Sequence, residues 1–446
     1  MRVLLVSTNL LCDPVPVYPL GVGYLISSLE KAGHICSVFD FIFEKDPEIN
    51  LLQKIRDFQP KILGFSIRNV DNICYLFQKE FISQIGNIIK SCRKITDIYI
   101  VLGGSGFSIF PEEIMKLFQA DFGIIGEGER VLAELAACLD HGKCYQKIPG
   151  LLYKNGTGYN INQPNLAYHN FSTVSPDRGI YEGKYSCTQK TSIKDMSVFS
   201  IQSKRGCQFS CIYCTYPIIE GRCIRIRPVK DVAEELQKMA EKHNVKKVDF
   251  VDSVFNYPLD HAKDICRAIC QLPVKIQWTC FLHPSSIDEE LAELMVDGGC
   301  VHAELGVDSL AGDVLSALRK GFCIDDVYRS VQILKNRGLD FTCSLIFGAP
   351  NETMSTVRET IGNLERLDPY AVFGLIGMRI YPNTELARNL IAEGILDQSE
   401  SLLKPKFYVS PTICLESMKE YLSNQLNNHS NWNIIGLKRC DYAARN

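Results

Sequence analysis

Cys207, Cys211 and Cys214 lie in the run RGCQFSCIYC, spaced C-x3-C-x2-C. Thiolates at this spacing on a folded loop can converge on one metal centre. Three protein donors with no fourth nearby leave one coordination position open to a small molecule. A zinc site usually brings a second C-x2-C pair or a nearby histidine, and here the nearest histidines, His169 and His243, are far along the chain. The preceding glycine, Tyr213 inside the run and the apolar stretch VFSIQS directly before it argue against a chance spacing. The chain has 19 cysteines, an odd number scattered from Cys12 to Cys440, which speaks against a secreted disulfide framework and for a reducing, cytoplasmic setting. Most of the others, such as Cys266 and Cys270, read as small buried hydrophobes.

Two carboxylates near strand ends, Asp252 and Glu304, could accept hydrogen bonds from a cation or from ribose hydroxyls; equally, they could cap the next helix or stay solvated. Trp278, His283, Arg379 and Tyr381 also fall near strand ends and could line a cavity or simply pack. The elements that must position these groups follow from hydrophobic period. Up to about residue 140, the strand-length runs Val3–Ser7, Ile35–Asp40, Lys61–Ser66, Ile98–Gly104 and Asp121–Gly126 alternate with helical stretches Leu20–Lys31, Leu51–Phe58, Asn72–Ser91, Pro111–Phe118 and Glu129–Leu139. The fold class is α/β, and residues 1–140 read as a doubly wound, Rossmann- or flavodoxin-like domain. Residues 141–195 read as a wrapping linker containing a hairpin, rich in Gly, Asn, Pro and Tyr. Residues 196–395 resume the alternation over six or seven strand–helix units, a partial (β/α)6 barrel with chemistry expected at the carboxyl ends of its strands. Residues 396–446 form a short tail with helical signals at Cys414–Leu426 and Trp432–Tyr442.

Composition narrows the function classes. In 446 residues, 48 Lys and Arg against 51 Asp and Glu leave a net charge of −3, so no basic face favours nucleic acid or an anionic membrane. With 46% hydrophobic and 22% charged residues, the chain can bury full cores. No apolar run is long enough for a membrane span, and the first residues read as a buried strand rather than an export signal.

RGCQFSCIYC resembles the cluster motif of the radical S-adenosylmethionine (SAM) enzymes. The resemblance implies that Cys207, Cys211 and Cys214 hold a 4Fe-4S cluster whose open iron is chelated by SAM, with Tyr213 among the cofactor contacts. Further segments follow in the family's order. DFVDSVFN is similar to the SAM-contacting end of the second strand, implying Asp252 and Ser253. ELGVDS resembles the ribose-contacting segment, implying Glu304, Asp308 and Ser309, with Asp308 where the family usually has Glu. FGAPNET is similar to G-x-P-G-E-T and implies Gly348. RIYPNTEL is similar to R-x-Y-P-G-T-x-L. Asn351 and Asn383 replace the usual glycines and still tolerate a left-handed turn.

Residues 1–140 resemble the cobalamin-binding domain of the cobalamin-dependent (class B) branch, through YPLGVGYLISSLEKAGH, GFSIRN, LGGSG and GEGE. This implies cofactor contacts from Ser66, Arg68, Gly103, Gly104, Gly126, Glu127 and Gly128, with Gly103 and Gly104 letting backbone approach the nucleotide tail. The loop Thr8–Pro19 carries no histidine, which implies no protein histidine on cobalt. Arg68 is the candidate for the cobalt's lower face, or else pairs with Asp71 or a cofactor amide. The resemblance therefore implies a methyltransferase in which one SAM methylates the corrinoid and a second yields a 5′-deoxyadenosyl radical. An unactivated carbon then takes the methyl from methylcobalamin. A rearrangement or cyclisation without methyl transfer is the alternative, and a non-catalytic cobalamin and iron–sulfur sensor is a third reading. The expected partners are a small-molecule, peptide or lipid substrate and an electron donor such as flavodoxin or ferredoxin, acting on a monomer.

Overall fold

The computed structural model describes residues 1–11, 16–95, 98–164, 175–179, 185 and 199–437. The chain divides into two compact units. One comprises Met1–Asn72, Glu80–Lys190 and Thr215–Arg225, the other Ile73–Lys79, Thr191–Cys214 and Ile226–Asn446.

The first unit contains β1 (Arg2–Ser7), α1 (Leu20–Lys31), β2 (Ile35–Asp40), α2 (Pro47–Phe58), β3 (Ile62–Ser66), α3 (Ile82–Arg93), β4 (Tyr99–Gly103), α4 (Ser105–Ile109), α5 (Pro111–Phe118), β5 (Phe122–Ile124), α6 (Glu129–Asp140), β6 (Leu151–Asn155) and β7 (Gly158–Ile161). Its sheet runs β2-β1-β3-β4-β5-β6-β7, the first five strands parallel and the last two antiparallel. Val3, Leu5, Ile26, Leu29, Val101 and Leu135 form the core between this sheet and its helices. Strand order reverses between β1 and β3, which opens a crevice at the carboxyl ends of the strands, the usual ligand position in such sheets. The expected hairpin after residue 141 is present and extends this sheet as β6 and β7.

One helix expectation fails. The helix expected over Asn72–Ser91 starts only at Ile82. Before it, Ile73 is left-handed (φ 49°), and Asp71 and Glu80 form a β-bridge, so the intervening segment loops out. The apolar residues there are not a helix face: Tyr75 packs on Phe407 with ring centroids 5.6 Å apart, within the second unit.

From residue 199 the elements are β8 (Ser200–Ile201), β9 (Lys204–Arg205), α7 (Tyr216–Ile219, in the first unit), β10 (Arg225–Ile226), α8 (Val229–His243), β11 (Lys247–Phe250), α9 (Leu259–Cys270), β12 (Gln277–Leu282), α10 (Glu289–Asp297), β13 (Cys300–Asp308), α11 (Gly312–Leu318), α12 (Ile324–Asn336), β14 (Phe341–Phe347), α13 (Met354–Leu367), β15 (Ala371–Ile376), β16 (Met378–Arg379), α14 (Glu385–Ala392), β17 (Phe407–Tyr408), α15 (Leu415–Asn428) and β18 (Trp432–Ile434). The main sheet runs β8-β11-β12-β13-β14-β15-β18 and is parallel throughout. Six strand–helix units make the partial barrel, and β18 adds a seventh strand.

That last strand corrects the helix expected over Trp432–Tyr442, of which 438–442 lie outside the described residues. Trp432, Asn433 and Ile434 pair with β15, a better use of an aromatic and a β-branched residue than a lone helical turn. Burial alternates along the barrel strands. Val248, Phe250, Trp278, Leu305, Val307 and Leu345 are buried on the side that carries the helices. The opposite, inward side is only half-buried at Asp249, Glu304, Ser344 and Phe373, and Phe281 there is 37% exposed. The inward face of the barrel is therefore left partly open instead of being filled by a packed core.

Candidate active site

The three cysteines follow β9 and are gripped from several elements of the second unit. Gly206, which precedes Cys207, has φ 93°, a conformation only glycine adopts without strain, and its carbonyl accepts a hydrogen bond from the Ser253 hydroxyl at 3.1 Å. Ile212, between the second and third cysteines, donates its N–H to the Leu318 carbonyl (3.2 Å) and accepts from the Leu386 N–H (2.8 Å). Phe209 stacks on His283 at 3.9 Å, and that imidazole is fixed by the Lys320 carbonyl (2.9 Å) and the Ser285 hydroxyl (2.8 Å). Burial pulls the His283 pKa down to about 4, so the ring is neutral near pH 7.

Tyr213 donates its hydroxyl to Asp308, and the Lys320 ammonium donates to the same carboxylate at 2.6 Å. Asp308 is held in the left-handed region at φ 62°. Burial acts to lower the Lys320 pKa, but Asp308 and the nearby Cys211 and Cys214 outweigh it and keep the ammonium charged. Burial raises the Cys211 thiol, and Lys320 opposes that shift. A buried cation beside two thiols favours their thiolate form, the form that binds metal. Sequence reading missed Lys320, Phe209 and the supporting role of His283. The one available signal was an aromatic beside the first cysteine spacing.

Several of the candidate residues are bonded within the protein. Asp252 is 1% exposed, and its carboxylate accepts from Ser203 N (2.8 Å), the Ser203 hydroxyl (2.5 Å) and Lys204 N (3.2 Å), with the Lys204 ammonium 3.6 Å away. These partners fix the strand that feeds the cysteine loop. The Gly348 N–H donates to Glu352, and its carbonyl accepts from Ser410 N at 2.8 Å. Ser309 is buried and bonds Thr360 at 3.2 Å. Trp278 is fully buried on the helix-facing side, with its indole N–H on the Gly298 carbonyl (2.8 Å). Arg379 is consumed by the carbonyls of Ile380 and Leu402 (2.5 and 2.7 Å), and its guanidinium lies over the Tyr381 ring. Asn351 and Asn383 are left-handed at φ 64° and 62°, as the two turn motifs require.

Glu304 remains on the inward face. It accepts from the Ser344 hydroxyl, and burial together with Asp308 raises its pKa. On the neighbouring strands Thr279 donates to Asp249 at 2.6 Å; burial, helped by Glu304, raises the Asp249 pKa to about 7.

In the first unit the expected residues do gather at the carboxyl edge of the sheet. Ile67 N donates to the Gly103 carbonyl (2.7 Å), Gly106 N to the Ile67 carbonyl (2.9 Å) and the Ser105 hydroxyl to the Arg68 carbonyl (3.0 Å). The Ser66 carbonyl accepts from the Thr8 hydroxyl at 3.0 Å, which ties the β3 end to the β1 loop. Gly104 has φ 98°, and a Cβ there would lie 2.6 Å from the Ile67 carbonyl oxygen, so only glycine fits. Gly126 N donates to Ser108 at 2.9 Å, and a Cβ on Gly128 would meet Leu25 at 2.9 Å. Arg68 is solvent-exposed, yet surrounding protein depresses its pKa through desolvation, as expected for a side chain standing in a hollow. Glu127 pairs with buried Arg225 at 2.5 Å.

Among the described residues no three His, Cys, Asp or Glu side chains are arranged to hold a single ion. A cubane cluster places each thiolate on a different iron, so its ligands are spread wider than those of one zinc ion, and the triplet on its gripped loop suits the former. A hollow with a backbone-lined edge and one buried-environment cation likewise suits a large amide-rich ring.

A model of the Radical SAM superfamily matches residues 201–364, and a model of the B12 binding domain matches residues 6–136. The chain belongs to the cobalamin-dependent radical SAM enzymes. A tryptophan 2-C-methyltransferase of Streptomyces laurentii is 26% identical, over 87% of this chain and 74% of its own. An uncharacterized methyltransferase of Pyrococcus horikoshii is 26% identical, over 91% and 87%. The solved structure of the radical SAM methyltransferase TsrM from Kitasatospora setae, with cobalamin and a [4Fe-4S] cluster bound, superposes with a TM-score of 0.84 at 24% identity, covering 97% of this chain and 92% of that one. The fold is also shared with the cobalamin-dependent S-adenosylmethionine radical enzyme OxsB, at a TM-score of 0.78 and 18% identity, covering 96% of this chain and 67% of that one. Among the described residues no helix is long and apolar enough to cross a membrane.

Proposed function

We propose that this enzyme is a C-methyltransferase that transfers a methyl group from SAM to an unactivated carbon of a small molecule. Cys207, Cys211 and Cys214 would hold a [4Fe-4S] cluster with SAM at its open iron, and the carboxyl edge of the first unit, with Arg68, Gly103 and Gly104, would hold cobalamin. When bound, the cluster supplies the electron that splits SAM, and the corrinoid supplies a methyl carrier. The protein's part is placement. Ile212, Phe209 and the Tyr213–Asp308–Lys320 assembly hold the cysteine loop, and the barrel interior receives the reactive intermediate away from bulk water. The cysteine triplet on a loop pinned at the carboxyl end of the first barrel strand is the observation that carries this reading.

A flavodoxin- or ferredoxin-type donor would supply the electron to a monomeric enzyme in the reducing cytoplasm. The likeness to anaerobic magnesium-protoporphyrin IX monomethyl ester cyclase of Rubrivivax gelatinosus, 26% identical over 77% of this chain, favours a second reading: oxidative ring closure without methyl transfer. Product analysis on anaerobically reconstituted enzyme separates the two. S-adenosylhomocysteine formed together with 5′-deoxyadenosine is expected for methylation, and 5′-deoxyadenosine alone would replace it with the cyclase reading.

A further inference from the structure

The interior of the barrel has two kinds of wall. On β11 to β14, inward side chains form a polar layer: Asp249 accepts from Thr279 at 2.6 Å, and Glu304 accepts from Ser344. Each carboxyl group is bonded through one oxygen. Among the described residues no N–H or O–H reaches the second oxygen of either, and neither second oxygen is sealed from solvent. No Lys or Arg of the described residues forms an ion pair with either group. Directly beside them the wall turns apolar. Phe281 is the strand neighbour of Glu304 and is 37% exposed although it points inward, and Phe373 on β15 is half-buried on the same face. A Cβ built on Gly306, one inward position beyond Glu304, would meet no atom within 4 Å. An aromatic face and two half-satisfied carboxyl groups are thus left open on the same inward face, whereas the interior of an ordinary parallel barrel is filled with side chains.

Resting on the methyltransferase reading, we infer that the barrel interior selects a small molecule with an apolar ring or chain and a hydrogen-bond-donating nitrogen, an amine or an N–H heterocycle. The nitrogen sits against Asp249 and Glu304 and the apolar body against Phe281 and Phe373. Charge complementarity decides the orientation. A carboxylate or phosphate at that end would face two acids in a low-dielectric space, which repels it, while an ammonium or N–H group completes the acceptors left open by Thr279 and Ser344. The elevated pKa values of both acids agree with this: burial raises each, with Glu304 adding to the shift of Asp249 and Asp308 to that of Glu304, and a buried carboxyl group resists ionising until a cation sits against it.

The test uses the full-length enzyme, reconstituted anaerobically, and two probes that share a body: 2-phenylethylamine and 3-phenylpropanoate. Calorimetric titration of the unaltered enzyme at pH 7.5 is expected to give at least about tenfold tighter binding of the amine, the scale of one charge-assisted hydrogen bond. Glu304→Gln and Asp249→Asn should each shrink that ratio, and Phe281→Ala should weaken both probes and leave the ratio alone. Equal or tighter binding of the carboxylate overturns the inference without any variant. So does an unchanged ratio in a variant that melts like the unaltered protein. Iron, sulfide and corrinoid content and SAM consumption are measured on the same preparation. Their absence counts against the methyltransferase reading, whereas their presence with no amine preference counts against the substrate class alone.

Discussion

The two cofactor regions are built by different means. The cysteine loop of the second unit is fixed by groups that arrive from several distant elements, among them the side chains of His283, Asp308 and Lys320 and the backbone N–H of Leu386. The carboxyl edge of the first unit, proposed for the corrinoid, is mostly backbone: Ile67 donates its N–H to the Gly103 carbonyl and accepts from Gly106 N, Gly104 leaves no room for a Cβ beside Ile67, and Arg68 stands exposed in a hollow whose walls desolvate it. A small, reactive, charged centre needs its ligands aimed from all sides. A large ring studded with amides needs a smooth concave edge and room. The first region should therefore fail through loss of a side chain and the second through gain of one.

The sharpest way to break this contrast is Cys211→Ala. It is expected to remove SAM cleavage altogether while bound corrinoid, read by its visible absorbance, stays near the level of the unaltered enzyme. Next in size is Asp252→Ala, which strands the buried Lys204 ammonium. It is expected to cost about 3–5 kcal/mol in chemical denaturation, as breaking a buried pair does. In the first unit, Gly104→Ala must distort a backbone that already sits at φ 98° against Ile67, an expected loss of about 1–3 kcal/mol together with corrinoid retention. Its neighbour sharpens the point. At Gly103 the nearest atom to an added Cβ is 3.8 Å away, so Gly103→Ala should leave melting nearly unchanged and lower corrinoid retention only if cofactor lies against that backbone.

The smallest expected effect is in pH dependence. Asp249 and Glu352 are both raised to about 7 by burial, so the folded state binds protons that the unfolded state has released. Their contribution is present in full below about pH 4 and is lost as pH rises through about 7. The melting temperature of cofactor-free enzyme should thus fall on this account between about pH 5 and pH 8, and Glu352→Gln should flatten that slope.

The cysteine spacing and the glycine-rich turns of the first unit were legible because they are local. A C-x3-C-x2-C spacing and a turn glycine are visible within ten residues, and the left-handed asparagines at Asn351 and Asn383 follow from turn chemistry alone. What escaped depends on pairs formed across the fold. Lys320 meets Asp308, Phe209 meets His283 and Arg225 meets Glu127, each pair separated by many residues with no periodic signal. Asp252 was legible as a strand-end acid, yet only the fold reveals Ser203 and Lys204 turned toward it. The stretch after Asn72 misled because its apolar residues serve the second unit, whose partner Phe407 lies over three hundred residues away.

The central claim is that three thiolates hold an iron–sulfur cluster with one iron left for SAM. Electron paramagnetic resonance of the dithionite-reduced, anaerobically reconstituted enzyme, recorded before and after SAM is added, tests it directly. A [4Fe-4S] signal whose shape changes with SAM is the expected result. A signal indifferent to SAM, or a protein that takes up zinc in place of iron and sulfide, would contradict it.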